Sequence, residues 1–149
     1  TSVAIDMDGW NLTDLGTNTH TIVSSGGTTV VPANGYLVLG RSTDMTINGG
    51  APVDYAWTVY TLSNGGDEII ISCGTNEIDR VEYTGASPWP DSAGFSMELA
   101  ATEYTGTGND VGSNWGLASS PFGDGDNGTP GATNDFTLSS TQLETTNFR

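Results

Sequence analysis

The chain has 149 residues, 35% of them apolar, which is enough for one domain with a single hydrophobic core. It carries 18 acidic residues against three arginines and no lysine, for a formal net charge of −15. Because phosphate groups are bound by lysine and arginine, this composition argues against nucleic acid or an anionic membrane as a partner. The 21 glycines, with many threonine, serine and asparagine residues, favour short strands joined by turns, so we expect an all-β domain.

Apolar and polar residues alternate through most of the first fourteen positions, which is the pattern of a half-buried strand. Trp10 lies in this pattern, so we expect its ring to pack in the core or at a sheet edge. Ile22-Val23 and Val30-Val31 flank a Ser-Ser-Gly-Gly turn and predict a β-hairpin. Residues 36–39 (Tyr-Leu-Val-Leu) predict another short strand, followed by a long loop.

The strongest strand signal lies in residues 62–73, with the sequence LSNGGDEIIISC. Asn64, Gly65 and Gly66 predict a turn, because glycine tolerates positive φ at no steric cost and asparagine tolerates it better than most residues. Asp67 is placed to accept backbone N–H groups of that turn. The three consecutive isoleucines that follow have no polar break, and they predict a strand at the centre of a sheet.

Cys73 is the only cysteine. Because it follows the isoleucines, we expect a small buried hydrophobic side chain rather than a reactive thiol. In the next strand, the two-residue period places Asp79, Val81 and Tyr83 on one face. If that face is the core, Asp79 is buried and must accept hydrogen bonds from backbone N–H groups or hydroxyls.

Residues 95–99 predict one more strand, in which Ser96 and Glu98 face away from Met97 and Leu99. No segment of useful length has the helical period. The predicted core consists of the inward positions of all these strands: Ile5, Trp10, Leu12, Leu37, Leu39, Ile69, Ile71, Val81, Tyr83, Met97 and Leu99.

Several short motifs occur in a particular order over about residues 3–134. They are Asp8-Gly9-Trp10 with Leu12, Gly35–Leu39, Leu62–Asp67, Asp79–Tyr83, Trp89-Pro90, Ser96–Leu99, Asn114-Trp115 and Thr129–Asn134. In order and spacing the chain resembles the lamin-tail domain, an immunoglobulin-like antiparallel β-sandwich. The resemblance implies that residues 1–134 form the sandwich and that residues 135–149 form a tail or linker.

The chain departs from this family at its beginning. The family's first strands have no match ahead of Thr1, and a sandwich without them would expose unpaired edges and an uncovered core face. Either the chain is a truncated piece, or an extended segment of another chain fills the gap. The tail 135–149 is a candidate donor, because Phe136 and Leu138 alternate with polar residues.

The resemblance implies a non-catalytic accessory module of a secreted or cell-surface bacterial protein that mediates attachment or assembly. Its partner would be another protein or another copy of itself, with strand addition as one binding mode. The sequence contains neither a signal peptide nor a membrane-spanning segment, and the composition leans towards an extracellular location.

The second interpretation is a calcium-dependent adhesion module or a carbohydrate-binding module. Asp124, Asp126 and Asn127 place oxygen ligands in a flexible turn, and Asp135 follows at the spacing of a closing acidic ligand. Pro130 inside this loop favours a solvated glycine-rich turn instead. Calcium is therefore the one candidate ion, and no other cofactor is expected.

Three aromatic residues that loops would expose, Trp57, Trp89 and Tyr104, are candidates for binding a sugar ring. For Trp89, packing between the flanking prolines is the alternative reading.

The sequence contains few groups of residues that could form a catalytic site. His20, the only histidine, is expected in a Thr/Asn-rich surface turn with no hydrophobic pocket indicated nearby, and not as a catalytic base. Asp79 and Glu82 fall on opposite faces of one strand, so they are not expected to converge as a carboxylate pair. We expect no enzymatic activity in this chain, and a fragment of an enzyme whose catalytic domain lies elsewhere is the third interpretation.

Overall fold

The computed structural model describes residues 1–57 and 59–139. In this part of the chain there are twelve strands: β1 (Ile5–Asp6), β2 (Asn11–Thr13), β3 (Thr19–Thr21), β4 (Val30–Val31), β5 (Leu39–Gly40), β6 (Tyr55–Ala56), β7 (Gly66–Cys73), β8 (Asn76–Thr84), β9 (Met97–Leu99), β10 (Trp115–Leu117), β11 (Pro121–Phe122) and β12 (Asp126–Asn127). The helical content described is three single turns of 3-10 helix, at Ser24–Gly26, Ala101–Glu103 and Gly112–Asn114. The all-β prediction is confirmed. Within the same residues, no helix has the length and apolar character needed to cross a bilayer.

The largest sheet is antiparallel and has the strand order β3-β2-β7-β8. Strand β7 carries the three isoleucines and pairs with β2 on one side and β8 on the other. The prediction that this run lies inside a sheet is therefore confirmed. The β-branched side chains suit this position because they pack well on a pleated surface with neighbours on both sides.

The remaining strands form pairs: β1 with β4, β9 with β10 and β11 with β12 are antiparallel, and β5 with β6 is parallel. The core joins the four-stranded sheet to β1–β4 and β5–β6. Its buried members are Met7, Leu12, Ile22, Tyr55 and Tyr60, against which Ile5, Trp10, Val31, Leu37, Leu39, Trp57 and Ile71 pack while remaining half-buried.

The predicted core is partly right. Leu12 and Leu99 are buried, whereas four predicted members, Ile69, Val81, Tyr83 and Met97, are half-buried and line an open pocket. Seven buried hydrophobic residues of the described structure were not predicted: Met7, Ile22, Tyr55, Tyr60, Ile70, Ala100 and Ala118. Burial at these positions depends on how the small strand pairs fold over the sheet, which the two-residue period does not encode.

The predicted hairpin between Ile22-Val23 and Val30-Val31 is wrong. Strand β3 ends before Ile22 and pairs with β2, while β4 pairs with β1. The intervening glycines allow the chain to cross β6 instead of turning back. A Cβ on Gly26 would lie 2.5 Å from the ring of Tyr55, so only glycine permits this close approach.

Two further predictions about single residues are wrong. Cys73 is exposed, because a bulge between Ile71 and Ser72 shifts the register and leaves Cys73 paired with Asn76 at the end of the hairpin. His20 lies in strand β3 and is half-buried, not in a surface turn. The turn in this part of the chain lies earlier, at residues 14–18, between β2 and β3.

Candidate functional site

The β7–β8 hairpin forms one wall of the candidate site. The turn that leads into β7 is held in place by the side chain of Asp67. Asp67 Oδ2 accepts the backbone N–H of Ser63 at 2.7 Å, and Gly66 adopts a φ of +125°. Gly85 N–H donates to the carbonyl oxygen of Gly65 at 3.0 Å, which extends the ladder by one pair beyond Gly66 and Thr84. These contacts fix the chain where it enters β7, at the open end of the hairpin.

The site itself is a pocket of about 540 Å³ between this hairpin and the β9–β10 pair. Ile69 and Val81 form a cross-strand pair on the hairpin side, and Met97 and Trp115 line the opposite side. Two large apolar side chains at the pocket remain in contact with solvent, since Leu62 is 40% and Phe95 45% exposed. The volume falls within the range of ligand-binding pockets in proteins, and apolar side chains left open to water favour binding of an apolar group.

A cluster of three aromatic rings connects the β7–β8 side of the pocket with the β9–β10 side. The ring of Trp89 lies 6.5 Å from that of Tyr83 on β8 and 5.7 Å from that of Trp115 on β10, centroid to centroid. Gly112 permits this packing, because a Cβ there would lie 3.0 Å from the Trp89 indole. Trp115 also donates its indole N–H to the carbonyl oxygen of Asn109 at 2.9 Å. The cluster therefore braces the pocket.

Strand β8 is an edge strand of the four-stranded sheet. Hydrogen-bonded and non-hydrogen-bonded pairs alternate along an antiparallel ladder. Because Gly65 and Gly85 form a hydrogen-bonded pair, the backbone N–H and C=O groups of Arg80, Glu82 and Thr84 point away from β7. Among the described residues, no backbone hydrogen bond from another segment reaches these groups.

Charged side chains line the outer face of this edge strand. Arg80 forms ion pairs with Glu77 at 2.6 Å and with Glu82 at 2.8 Å. The hydrogen bonds that Arg80 donates to Glu77 and then to Glu82 raise the pKa of Arg80, and the bonds that Glu77 accepts from Arg80 lower the pKa of Glu77. The single cation of the hairpin is thus already shared by two carboxylates.

Asp79, on the inner face of β8, is half-buried and accepts a hydrogen bond from the side-chain amide of Asn109 at 2.7 Å. The prediction required backbone or hydroxyl donors if this face were the core, whereas the donor in the structure is a side-chain amide. Asn109 is only 7% exposed, and its Oδ1 has no partner among the described residues. This pair links β8 to the loop before β10.

A carboxylate whose burial was not predicted from the sequence lies next to Met97 of the pocket wall. Glu98 on β9 is 3% exposed and accepts hydrogen bonds from Thr129 Oγ1 at 2.5 Å, from Asp135 N–H at 2.8 Å and from Phe136 N–H at 3.3 Å. The two-residue period predicted only that it faces away from Met97 and Leu99. Thr129 and the segment after residue 133 cover that face and supply the donors.

The four predicted calcium ligands do not form a common cluster. Asp135 accepts hydrogen bonds from Ser120 and Ser119, which lower the pKa of its carboxyl group. Asn127 donates its side-chain amide to the carbonyl oxygen of Ser119 at 2.9 Å. Asp124 is exposed, and Asp126 is exposed on β12 with its carboxylate towards Gly94. No group of three or more His, Cys, Asp or Glu side chains suited to a metal ion occurs in residues 1–57 and 59–139.

The three predicted sugar-stacking residues lie in different environments. Trp57 packs against the main core, with its ring 5.9 Å from that of Tyr60 and its indole N–H bonded to the Tyr60 carbonyl oxygen at 2.8 Å. Trp89 belongs to the aromatic cluster described above. Tyr104 is exposed, and its hydroxyl accepts the backbone N–H of Asn134 at 3.1 Å. No ring contact joins any two of the three residues in the described structure.

The single histidine faces the core. His20 Nε2 lies 2.7 Å from the hydroxyl of Tyr55, which is fully buried and also accepts the backbone N–H of Val23. Desolvation lowers the pKa of His20, so its neutral form is favoured in the folded protein.

The tail 135–149 was a candidate to donate a strand to another chain. Its first residues pack against this chain's own domain. The ring of Phe136 lies so close to Gly116 on β10 that a Cβ there would come within 2.1 Å of it. Leu138 is half-buried, and residues 140–149 of the predicted tail lie outside the described residues.

Comparison with known proteins adds no relative: no family model, curated protein or solved structure matches this chain.

Proposed function

We propose that this domain is a non-catalytic interaction module of a secreted or cell-surface bacterial protein, and that it binds a segment of a partner protein in the pocket between β7–β8 and β9–β10. The observation that carries the proposal is the pocket itself, with its apolar walls and the exposed side chains of Leu62 and Phe95. A single apolar side chain of a bound segment would bury this surface, and burial contributes about 25 cal/mol per Å² of apolar area.

The immunoglobulin-like, lamin-tail type of sandwich is part of the same proposal. Support comes from the antiparallel four-stranded sheet and from the core it shares with the smaller strand pairs. A further point in favour is that apolar side chains are left open in the pocket between β7–β8 and β9–β10, since the resemblance led us to expect an uncovered core face.

A matched pair of substitutions tests the binding function. Val81→Asp places a charge in the pocket wall, while Ile78→Asp places the same charge on an exposed site of the same strand, outside the pocket. A displayed library of random seven-residue peptides is selected against the wild-type domain and then measured on both variants. We expect selected peptides to bind the wild-type and Ile78→Asp proteins alike and to lose at least tenfold in affinity for Val81→Asp.

The proposal is contradicted if the library yields no peptide that distinguishes the two variants. Circular dichroism and thermal unfolding of both variants establish that they retain the fold. If Val81→Asp unfolds, Met97→Asp on the opposite wall takes its place, with Leu117→Asp on the neighbouring strand as its exposed control.

A further inference from the structure

We infer that the partner segment binds as an added β-strand on the free edge of β8, and that this segment is cationic and belongs to a different protein. The inference rests on the proposed function and specifies its binding mode and the chemistry of the partner.

The backbone of β8 offers a template for an added strand. Arg80, Glu82 and Thr84 direct their N–H and C=O groups outwards, while the alternate residues Val81 and Tyr83 line the pocket. A new strand would lie about 4.8 Å from β8, and every second side chain would point to the same side as the pocket. One extended segment can therefore pair with the backbone of β8 and also place a side chain in the pocket.

The net negative charge of the β7–β8 hairpin favours a partner segment with positive charge. Residues 66–84 contain five acids and one arginine, which is a surplus of four negative charges. Since Arg80 is already paired with Glu77 and Glu82, it offers no free cation to an acidic segment. Asp91 adds another carboxylate at the pocket. Lysine or arginine on the outward positions of the added strand would lie opposite these carboxylates, where cross-strand pairs of opposite charge are favourable.

The same charge disfavours a second copy of this chain as the occupant. Each copy carries a net charge of −15, so two copies meeting along β8 would bring like charges together. Charged side chains on an edge strand are a common means of preventing self-association through that edge. The negative charges on β8 do not repel a partner segment that carries positive charge.

A substitution at the edge isolates the backbone contact. The N–H of Glu82 points away from β7, so Glu82→Pro removes an outward donor without removing a hydrogen bond of the β7–β8 ladder. Glu82→Thr removes the same charge but keeps the N–H. The probe is a fluorescein-labelled peptide, Lys-Val-Lys-Phe-Lys-Val-Lys, with both ends blocked, and binding is followed by fluorescence polarisation.

We expect the probe to bind the wild-type domain at least tenfold more tightly than a peptide in which glutamate replaces every lysine. We also expect Glu82→Pro to bind it at least fivefold more weakly than Glu82→Thr. Two N-methylated versions of the probe, methylated at odd or at even backbone nitrogens, give an independent measurement if Glu82→Pro alters folding. One version should lose at least fivefold in affinity and the other less than twofold.

The inference is overturned if both methylated peptides bind equally, if the glutamate peptide binds as well as the lysine peptide, or if sedimentation shows a wild-type dimer that Glu82→Pro dissociates. These outcomes differ from failure of the proposed function. Selected peptides that respond to Val81→Asp but not to Glu82→Pro would preserve the pocket as a binding site while rejecting strand addition.

Discussion

Replacing Glu98 by alanine tests whether the buried carboxylate anchors the C-terminal segment to β9. The side chain accepts three hydrogen bonds, and two of them come from the backbone of Asp135 and Phe136. Glu98→Ala leaves the two backbone N–H donors without an acceptor, removes one of the two acceptors of Thr129 Oγ1 and opens a cavity. Since a hydrogen bond to a charged group contributes about 1.5–3 kcal/mol, and since water can reach some of these donors, we expect a loss of roughly 3–5 kcal/mol.

Glu98→Gln is the conservative variant. Its amide oxygen can still accept from both backbone N–H groups, and its amide N–H can donate to Thr129 Oγ1. That hydroxyl also contacts Asn134 Oδ1 at 3.1 Å, so it has a second acceptor when it no longer donates to residue 98. We expect this variant to lose only about 1 kcal/mol.

The assay is urea unfolding at pH 7 followed by tryptophan fluorescence, with Glu82→Ala as a control for an exposed glutamate. The control is expected to change the free energy of unfolding by less than about 1 kcal/mol. A loss below about 1 kcal/mol for Glu98→Ala, or equal losses for the alanine and glutamine variants, would refute the reasoning, because the predicted cost depends on acceptor geometry inside a buried site.

Three further predictions follow from the described contacts. The hydrogen bonds that lower the pKa of Asp135 contribute stability above the unfolded-state value near 4, and this stability is lost as the pH falls through the lower folded-state pKa. Acid unfolding should therefore be shallower for Asp135→Asn than for the wild type. The lowered pKa of His20 should appear in an NMR titration as a value below 6.5, and the His20 contribution to stability should fall as the pH drops through it. Gly116→Ala should cost about 1–3 kcal/mol in chemical unfolding because its methyl group would collide with the ring of Phe136. Gly65→Ala should cost less than about 1 kcal/mol, because its methyl group would meet only Ser63 Oγ, at an ordinary contact distance of 3.8 Å.

The sequence alone determined the features that depend on neighbouring residues. The all-β class follows from short alternating segments and many glycines, and the central strand follows from three consecutive isoleucines. The turn at Asn64 to Gly66 is also local, because it depends on a glycine at Gly66, the position with positive φ, and on a carboxylate one position later.

Only the tertiary structure decided which residues distant in sequence meet. Glu98 is buried because a segment 37 residues later covers it, and Cys73 is exposed because a bulge shifts the end of β7. The pairing of β4 with β1, in place of the predicted hairpin, depends on the approach of two glycines to β6. The pocket arises in the same way, since its two sides come from strands that pack face to face but do not fill the space between them. A period of two assigns each side chain to a face of its strand, but what covers that face is set by long-range packing.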